Sequence, residues 1–402
     1  MHVMREIPAR RALQFGRRAA VRLFAFVLVT LLIFMFIEGF CSTALLVADL
    51  WPGPVSRKNG DHIYMHYDPE LGWVNNPNLY LKNAFGPGIY LRTNAQGFRN
   101  ATTISQNDPP GKIRVLCSGD SFTFGYGVDN RQTWCALLSD LDGRLQTVNM
   151  GQNGYGTDQS YLLYKRASGG LQYQVQIFAF ITDDFRRMET DFLFGSGKPV
   201  LSVHDGQLVE QNVPVPRYFL RSKLADWKDS YGTILNESRT VQFLDRVAEH
   251  FHLTTPPTDI SLGDQQKWNS VVAAILDSLK ALNESNHSTL VLVYLPSEPD
   301  HCSNANLDRW RSVVRDEAAR KHILFIDLVD AFQKLPETAR LFIQPGAGRY
   351  IGEVGHYTIE GNQYIAKELY SHLLQLGVLG KKDAIENQRR SVYRRSSPSP
   401  DI

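Results

Sequence analysis

The sequence predicts an α/β fold: a parallel sheet covered by helices on both faces, carrying an inserted segment and preceded by one membrane-spanning helix. Three observations predict it. Five short apolar runs, at 113–118, 146–150, 175–181, 289–295 and 323–327, read as strands. Nearly continuous apolar strands mark a sheet that is buried on both faces. Helical patterns near 131–141, 158–168, 264–283, 305–321 and 359–376 fall between or after those runs. Such alternation is the pattern of parallel strands joined by crossover helices. The third observation is the N-terminus, basic and then apolar.

Arg5, Arg10, Arg11, Arg17, Arg18 and Arg22 precede an apolar stretch from Leu23 to Ile37, interrupted only by Thr30. It continues past Glu38 to Val47. About 20 apolar residues cross a bilayer. Arginines on one side only predict a cytoplasmic N-terminus, residues 1–22, and a single-pass anchor over 23–47. The main domain is then periplasmic or extracellular. Glu38 falls near the outer end, within reach of the interface. A cleaved signal peptide is the rival reading. The apolar region is long for one, and no small-x-small site follows it.

Residues 52–110, rich in Pro, Gly and Asn, read as a membrane-proximal lead-in packed on the main domain. Asp68-Pro69-Glu70-Leu71-Gly72-Trp73 and Thr93-Asn94-Ala95-Gln96-Gly97-Phe98-Arg99 read as turns bounding short strands. The main domain spans 111–379. Its rhythm is broken between about 188 and 262. There Asp205-Gly206 separates two extended runs, a hairpin signal, and 218–250 reads as helix. This block is a candidate lid or substrate platform, or a packing elaboration. Residues 380–402 are basic and Ser/Pro-rich, with too few apolar residues to fold.

With 402 residues, 43% hydrophobic and 21% charged, the chain is long enough for a large core. A net charge of +2 is too small for a nucleic-acid footprint. The four cysteines, Cys41, Cys117, Cys135 and Cys302, have no metal-ligand spacing. Cys117 and Cys135 flank the turn discussed next and could pair, but buried free thiols are the favoured expectation.

In open parallel sheets, ligands bind beyond the carboxyl ends of the strands. Four segments of suitable chemistry fall there. Gly119-Asp120-Ser121 follows the first strand, and Asn149-Met150-Gly151-Gln152-Asn153-Gly154-Tyr155 follows the second. Thr182-Asp183-Asp184 follows the third, and Glu353-Val354-Gly355-His356 precedes the last helix. A serine hydroxyl is a weak nucleophile and needs a base. His356 suits that role, with Glu353 three residues earlier as the orienting acid. The N–H groups of Ser121 and Gly154 suit an oxyanion hole.

These segments resemble the SGNH (GDSL-type) hydrolase superfamily, over about residues 113–376. Gly119-Asp120-Ser121 is similar to its first block, with Ser121 as nucleophile. Asn149 to Tyr155 is similar to the second, with Gly154 as its glycine. Glu353-x-x-His356 is similar to the last, usually Asp-x-x-His, with His356 as base. The lead-in pattern resembles the membrane-anchored bacterial branch, which includes domains thought to move or remove acyl groups on cell-surface glycans. The resemblance implies a three-layer, flavodoxin-like sheet and no metal or dissociable cofactor. It also implies an acylated carbohydrate or other ester as substrate.

Two departures stand out. The third block usually offers Gly-Asn-Asp, whose asparagine donates to the oxyanion. Here Asp183 holds that position, and an ionised carboxylate donates nothing and repels an oxyanion. Glu353 replaces the usual aspartate. The expected function is a membrane-anchored serine acyl-ester hydrolase or O-acyltransferase acting on O-acetyl groups of a cell-surface glycan. The alternative is a catalytically weak or inactive subunit that binds or assembles glycan. A lipase acting on membrane lipids is a third option.

Overall fold

The computed structural model describes residues 6–50, 64–193, 196–216, 240, 243, 262–301, 305–344 and 353–380. The chain divides into two compact units, Met1–Gly53 with Phe219–Asp259, and Pro54–Tyr218 with Ile260–Ile402. Apart from Thr240 and Phe243, the helix expected over 218–250 lies outside the described residues, as does the tail beyond Gly380.

In the first unit, α1 runs from Glu6 to Leu50. Its segment Gly16–Ala44, with a mean hydropathy of 2.7, is long and apolar enough to cross a membrane. The carboxylate of Glu38 accepts hydrogen bonds from the N–H and hydroxyl of Thr240, at 3.3 and 2.9 Å.

The second unit opens with four short strands: β1 (Met65–Asp68), β2 (Gly72–Asn75), β3 (Tyr80–Leu81) and β4 (Leu91–Arg92). They pair antiparallel as β1–β2 and β3–β4. The α/β rhythm then begins. It runs through β5 (Ile113–Ser118), α2 (Ser121–Phe124), α3 (Trp134–Leu141), β6 (Leu145–Asn149) and α4 (Thr157–Ser168). Next come β7 (Val175–Phe180) and α5 (Thr182–Arg187). Small hairpins follow: β8 (Phe192–Leu193) with β9 (Ser196–Gly197), and β10 (Val200–His204) with β11 (Gln207–Gln211). The second of these turns at Asp205-Gly206, both with positive φ, as its sequence predicts. The chain closes with α6 (Leu262–Ser285), β12 (Thr289–Tyr294), α7 (Ala305–Lys321), β13 (Leu324–Asp327), α8 (Val329–Phe332) and α9 (Ile359–Gln375).

The central sheet has the order β13-β12-β7-β5-β6, all parallel. Side chains alternate across it, so each strand feeds two cores. Leu116, Phe178 and Leu292 join a cluster with Tyr161 of α4, Ile275 of α6 and Trp310 of α7. Val115, Ile177 and Val293 join another with Leu138 of α3 and Leu369 of α9. The result is the three-layer, flavodoxin-like arrangement that the sequence leads one to expect. The strand order reverses between β5 and β7, which places the ligand crevice at their carboxyl ends.

Leu71, Trp73, Phe98 and Ile104 of the lead-in pack into the same cluster as Leu116, so the lead-in packs on the main domain and shares its core. One expectation changes: Cys117 and Cys135 are not free thiols. Cys117, on β5, and Cys135, on α3, face each other in the core with Cα atoms 6.3 Å apart, and they form a disulfide. That separation lies within the range a disulfide spans.

Candidate active site

Ser121 follows β5 through a tight approach at Gly119, where a Cβ would stand 2.6 Å from the carbonyl oxygen of Ala179. Only glycine fits there, so the turn can leave the sheet directly beside β7. Asp120 caps α2 by accepting the Phe122 N–H at 2.9 Å. The rest of the turn is stitched from several sides. The Trp134 indole donates to the carbonyl of Phe122 at 3.1 Å, and the Asn149 amide donates to that of Thr123 at 2.8 Å. Arg99, buried, donates to the carbonyl of Phe124 at 2.7 Å and to those of Gly125 and Val128. The lead-in motif Thr93–Arg99 thus supplies the cation that holds the serine loop in shape.

His356 reaches Ser121 from 235 residues away. Its Nε2 lies 2.8 Å from Oγ of Ser121. The backbone around it is fixed at both ends: its N–H donates to the carbonyl of Glu353 at 3.0 Å, and its own carbonyl accepts from the Ile343 N–H at 2.8 Å. The imidazole packs beside the rings of Phe122 and Tyr126, with centroids 4.9 and 5.1 Å apart. Glu353 is buried, and its side chain stands beside Gly127. The described contact between Glu353 and His356 runs through the backbone.

Ser121 and His356 line a cavity of about 380 Å³. Gly154 lines it too, in the left-handed conformation at φ 71° that a glycine adopts without strain. Tyr64, Trp73 and Tyr126 supply aromatic walls. Two of these come from the lead-in, which the sequence did not connect with the site.

Asp183 is not brought to this cavity. Its side chain is 57% exposed and pairs with Arg186 at 3.4 Å. Arg187, one turn further along α5, lines the cavity instead. Its Nη1 donates to Asp184 at 2.8 Å, to Asp120 at 3.1 Å and to the carbonyl of Tyr155 at 3.1 Å. The Asp120 oxygen that holds Arg187 also accepts from Oγ of Ser121 at 3.3 Å. Burial, with the negative charge of Asp120 added, raises the Asp184 carboxyl well above the ordinary carboxylate range. Burial works against the Arg187 cation, but Asp184 and Asp120 more than offset it and raise its pKa. Sequence reasoning missed Arg187. The only signal was its place one turn beyond the third block.

Among the described residues, no group of three or more His, Cys, Asp or Glu side chains is placed to hold a metal ion. The cavity brings together the Ser121 hydroxyl, the His356 imidazole in contact with it, and the Gly154 backbone.

The family model for the GDSL-like lipase/acylhydrolase family matches residues 117–364. No curated protein matches the chain. Solved structures similar to it include a member of the lipolytic protein G-D-S-L family from Veillonella parvula DSM 2008. It is 14% identical with a TM-score of 0.35, and the match covers 64% of this chain and 97% of that one. The lipase/acylhydrolase from Enterococcus faecalis is 12% identical with a TM-score of 0.37, covering 65% and 95%. A variant of an acetyl-xylooligosaccharide esterase from Geobacillus Stearmophilus is 14% identical with a TM-score of 0.38, covering 68% and 96%.

Proposed function

The chain belongs to the GDSL-like lipase/acylhydrolase family, and from that premise we propose that it is a serine esterase acting on O-acyl groups, O-acetyl on a cell-surface glycan foremost. The observation that carries this reading is the 2.8 Å contact between Nε2 of His356 and Oγ of Ser121. It also favours an enzyme over a non-catalytic subunit. In the reaction, Oγ of Ser121 attacks the acyl carbonyl while Nε2 of His356 takes its proton. The Ser121 and Gly154 N–H groups stabilise the oxyanion. The protonated imidazole then gives its proton to the departing alcohol, leaving an acyl ester on Ser121. A second nucleophile, activated by the same nitrogen, releases the acyl group. Glu353 holds the imidazole in place, through its carbonyl and as the acid of the site.

Water as second nucleophile gives hydrolysis. A sugar hydroxyl gives O-acyl transfer, a reading supported by Ser121 being only 5% exposed beneath aromatic walls. Wild type is expected to release para-nitrophenol from para-nitrophenyl acetate and acetate from an O-acetylated polysaccharide. Ser121→Ala and His356→Ala are each expected to lower those rates by about 10⁴-fold or more. Activity on the aryl ester alone would remove the glycan from this reading. Full activity of either variant would remove the mechanism.

α1 is read as an anchor with its arginine-rich end in the cytoplasm and the domain outside. The Cys117–Cys135 disulfide supports this, because such bonds persist in oxidising compartments. A reporter enzyme fused after Gly111 is expected to be active only outside the cytoplasm. Activity inside would reverse the topology.

A further inference from the structure

We infer that Arg187 reads a carboxylate on the substrate, so that the cavity takes an O-acylated acidic sugar, a uronic acid. This rests on the serine-esterase reading above. Arg187 lines the cavity that holds Ser121 and His356. A guanidinium carries five N–H donors. Among the described residues, every hydrogen bond of this one leaves from Nη1, toward Asp120, Asp184 and the carbonyl of Tyr155. Nε and Nη2 give none, and neither is sealed from solvent, in a side chain that is 17% exposed. A charged fork with donors to spare therefore lies in the cavity wall.

The spare donors suit an anion. A guanidinium grips a planar carboxylate with two parallel N–H···O bonds. The remaining walls agree with this. Among the described residues, His66, Arg187 and His356 line the cavity, and no Asp or Glu does. No carboxylate on that wall repels a substrate anion. Tyr64, Trp73 and Tyr126 offer flat apolar surface to a sugar ring.

The spacing puts the carboxylate on the same ring as the ester. Oδ2 of Asp120 accepts from Oγ of Ser121 at 3.3 Å and from Nη1 of Arg187 at 3.1 Å. One oxygen atom thus separates the serine hydroxyl from the cation. Neighbouring substituents on one ring span such a gap, as do the carboxylate of a uronic acid and an acylated hydroxyl beside it. The fork is also held before substrate arrives. Asp184, which accepts from Arg187 at 2.8 Å, is itself pinned by the Ile181 N–H at 3.1 Å.

The test compares acetate release from two substrates that differ only in the acid: a mono-O-acetylated methyl glucuronoside and the matching methyl glucoside. Wild type is expected to favour the glucuronoside in kcat/KM by about tenfold or more, since the neutral sugar leaves the charged donors unmatched. Arg187→Lys keeps a cation for Asp120 and Asp184 but gives up the fork. It is expected to bring the two substrates to within about threefold of each other, mostly by raising KM for the glucuronoside. The ratio cancels any general loss from a disturbed serine turn, so a merely structural role does not move it. Should Arg187→Lys not fold, Arg187→Gln combined with Asp184→Asn removes a buried carboxylate together with the cation, and the same collapse of the ratio is expected. Equal wild-type rates on the two sugars, or a preference that survives the substitution, overturn the inference while the esterase reading stands. Cleavage of para-nitrophenyl acetate with neither sugar touched does the same. Wild type inactive on all three esters overturns both.

Discussion

β5 and β7 lie side by side in the middle of the sheet, and the chain leaves their carboxyl ends in two different ways. After β5, the turn is held by neutral and charged hydrogen bonds that converge from distant elements: Trp134, Asn149 and Arg99 all donate to its carbonyls. Every residue of α2 is buried. After β7, the turn runs into α5, where two adjacent carboxylates part company. Asp184 is 1% exposed and is held by Arg187, while Asp183 faces solvent. The first turn fixes the serine proposed as nucleophile. The second brings a cation to the Asp120 oxygen that also accepts from that serine. A strand-end motif therefore assigns chemistry to a region, and the local backbone decides which of its side chains faces the cavity.

Breaking the second turn is expected to give the larger effect. Arg187→Met leaves the buried Asp120 and Asp184 without their shared cation, at a cost of about 3–5 kcal/mol in denaturant unfolding. A loss under about 1 kcal/mol would mean that the two turns are not coupled through this cation. The smallest effect is expected at the solvent-facing neighbour. Asp183→Asn should change stability by less than about 0.5 kcal/mol and the esterase rate by less than about twofold, as for an exposed surface substitution. A gain of about tenfold or more would show that the position reaches the oxyanion after all, and would erase the contrast between the two carboxylates.

Much of this architecture was legible because it rests on local pattern. The continuous apolar runs located β5, β7 and β12 to within a residue, since a strand buried on both faces has no polar position to blur its ends. The Asp205-Gly206 hairpin was legible for the same reason: its turn chemistry is written in two residues. Ser121 and His356 could be paired only by reasoning about where strands end, and their contact spans 235 positions. What stayed hidden depends on tertiary direction. Nothing local distinguishes the exposed Asp183 from the buried Asp184. Nothing local shows that Cys117 and Cys135 meet across the packing of β5 on α3. Arg99 belonged to a motif noted in the lead-in, but its role exists only once that lead-in folds over the serine loop.

Everything proposed for this site depends on Ser121 being a nucleophile activated by His356. The most direct measurement is peptide mapping by mass spectrometry after reaction with a fluorophosphonate. Wild type is expected to carry a single adduct on Ser121 and Ser121→Ala none, with labelling slowed by about 10⁴-fold in His356→Ala. An adduct on another residue, a folded wild type that stays unlabelled, or a His356→Ala variant that labels at the wild-type rate would contradict it.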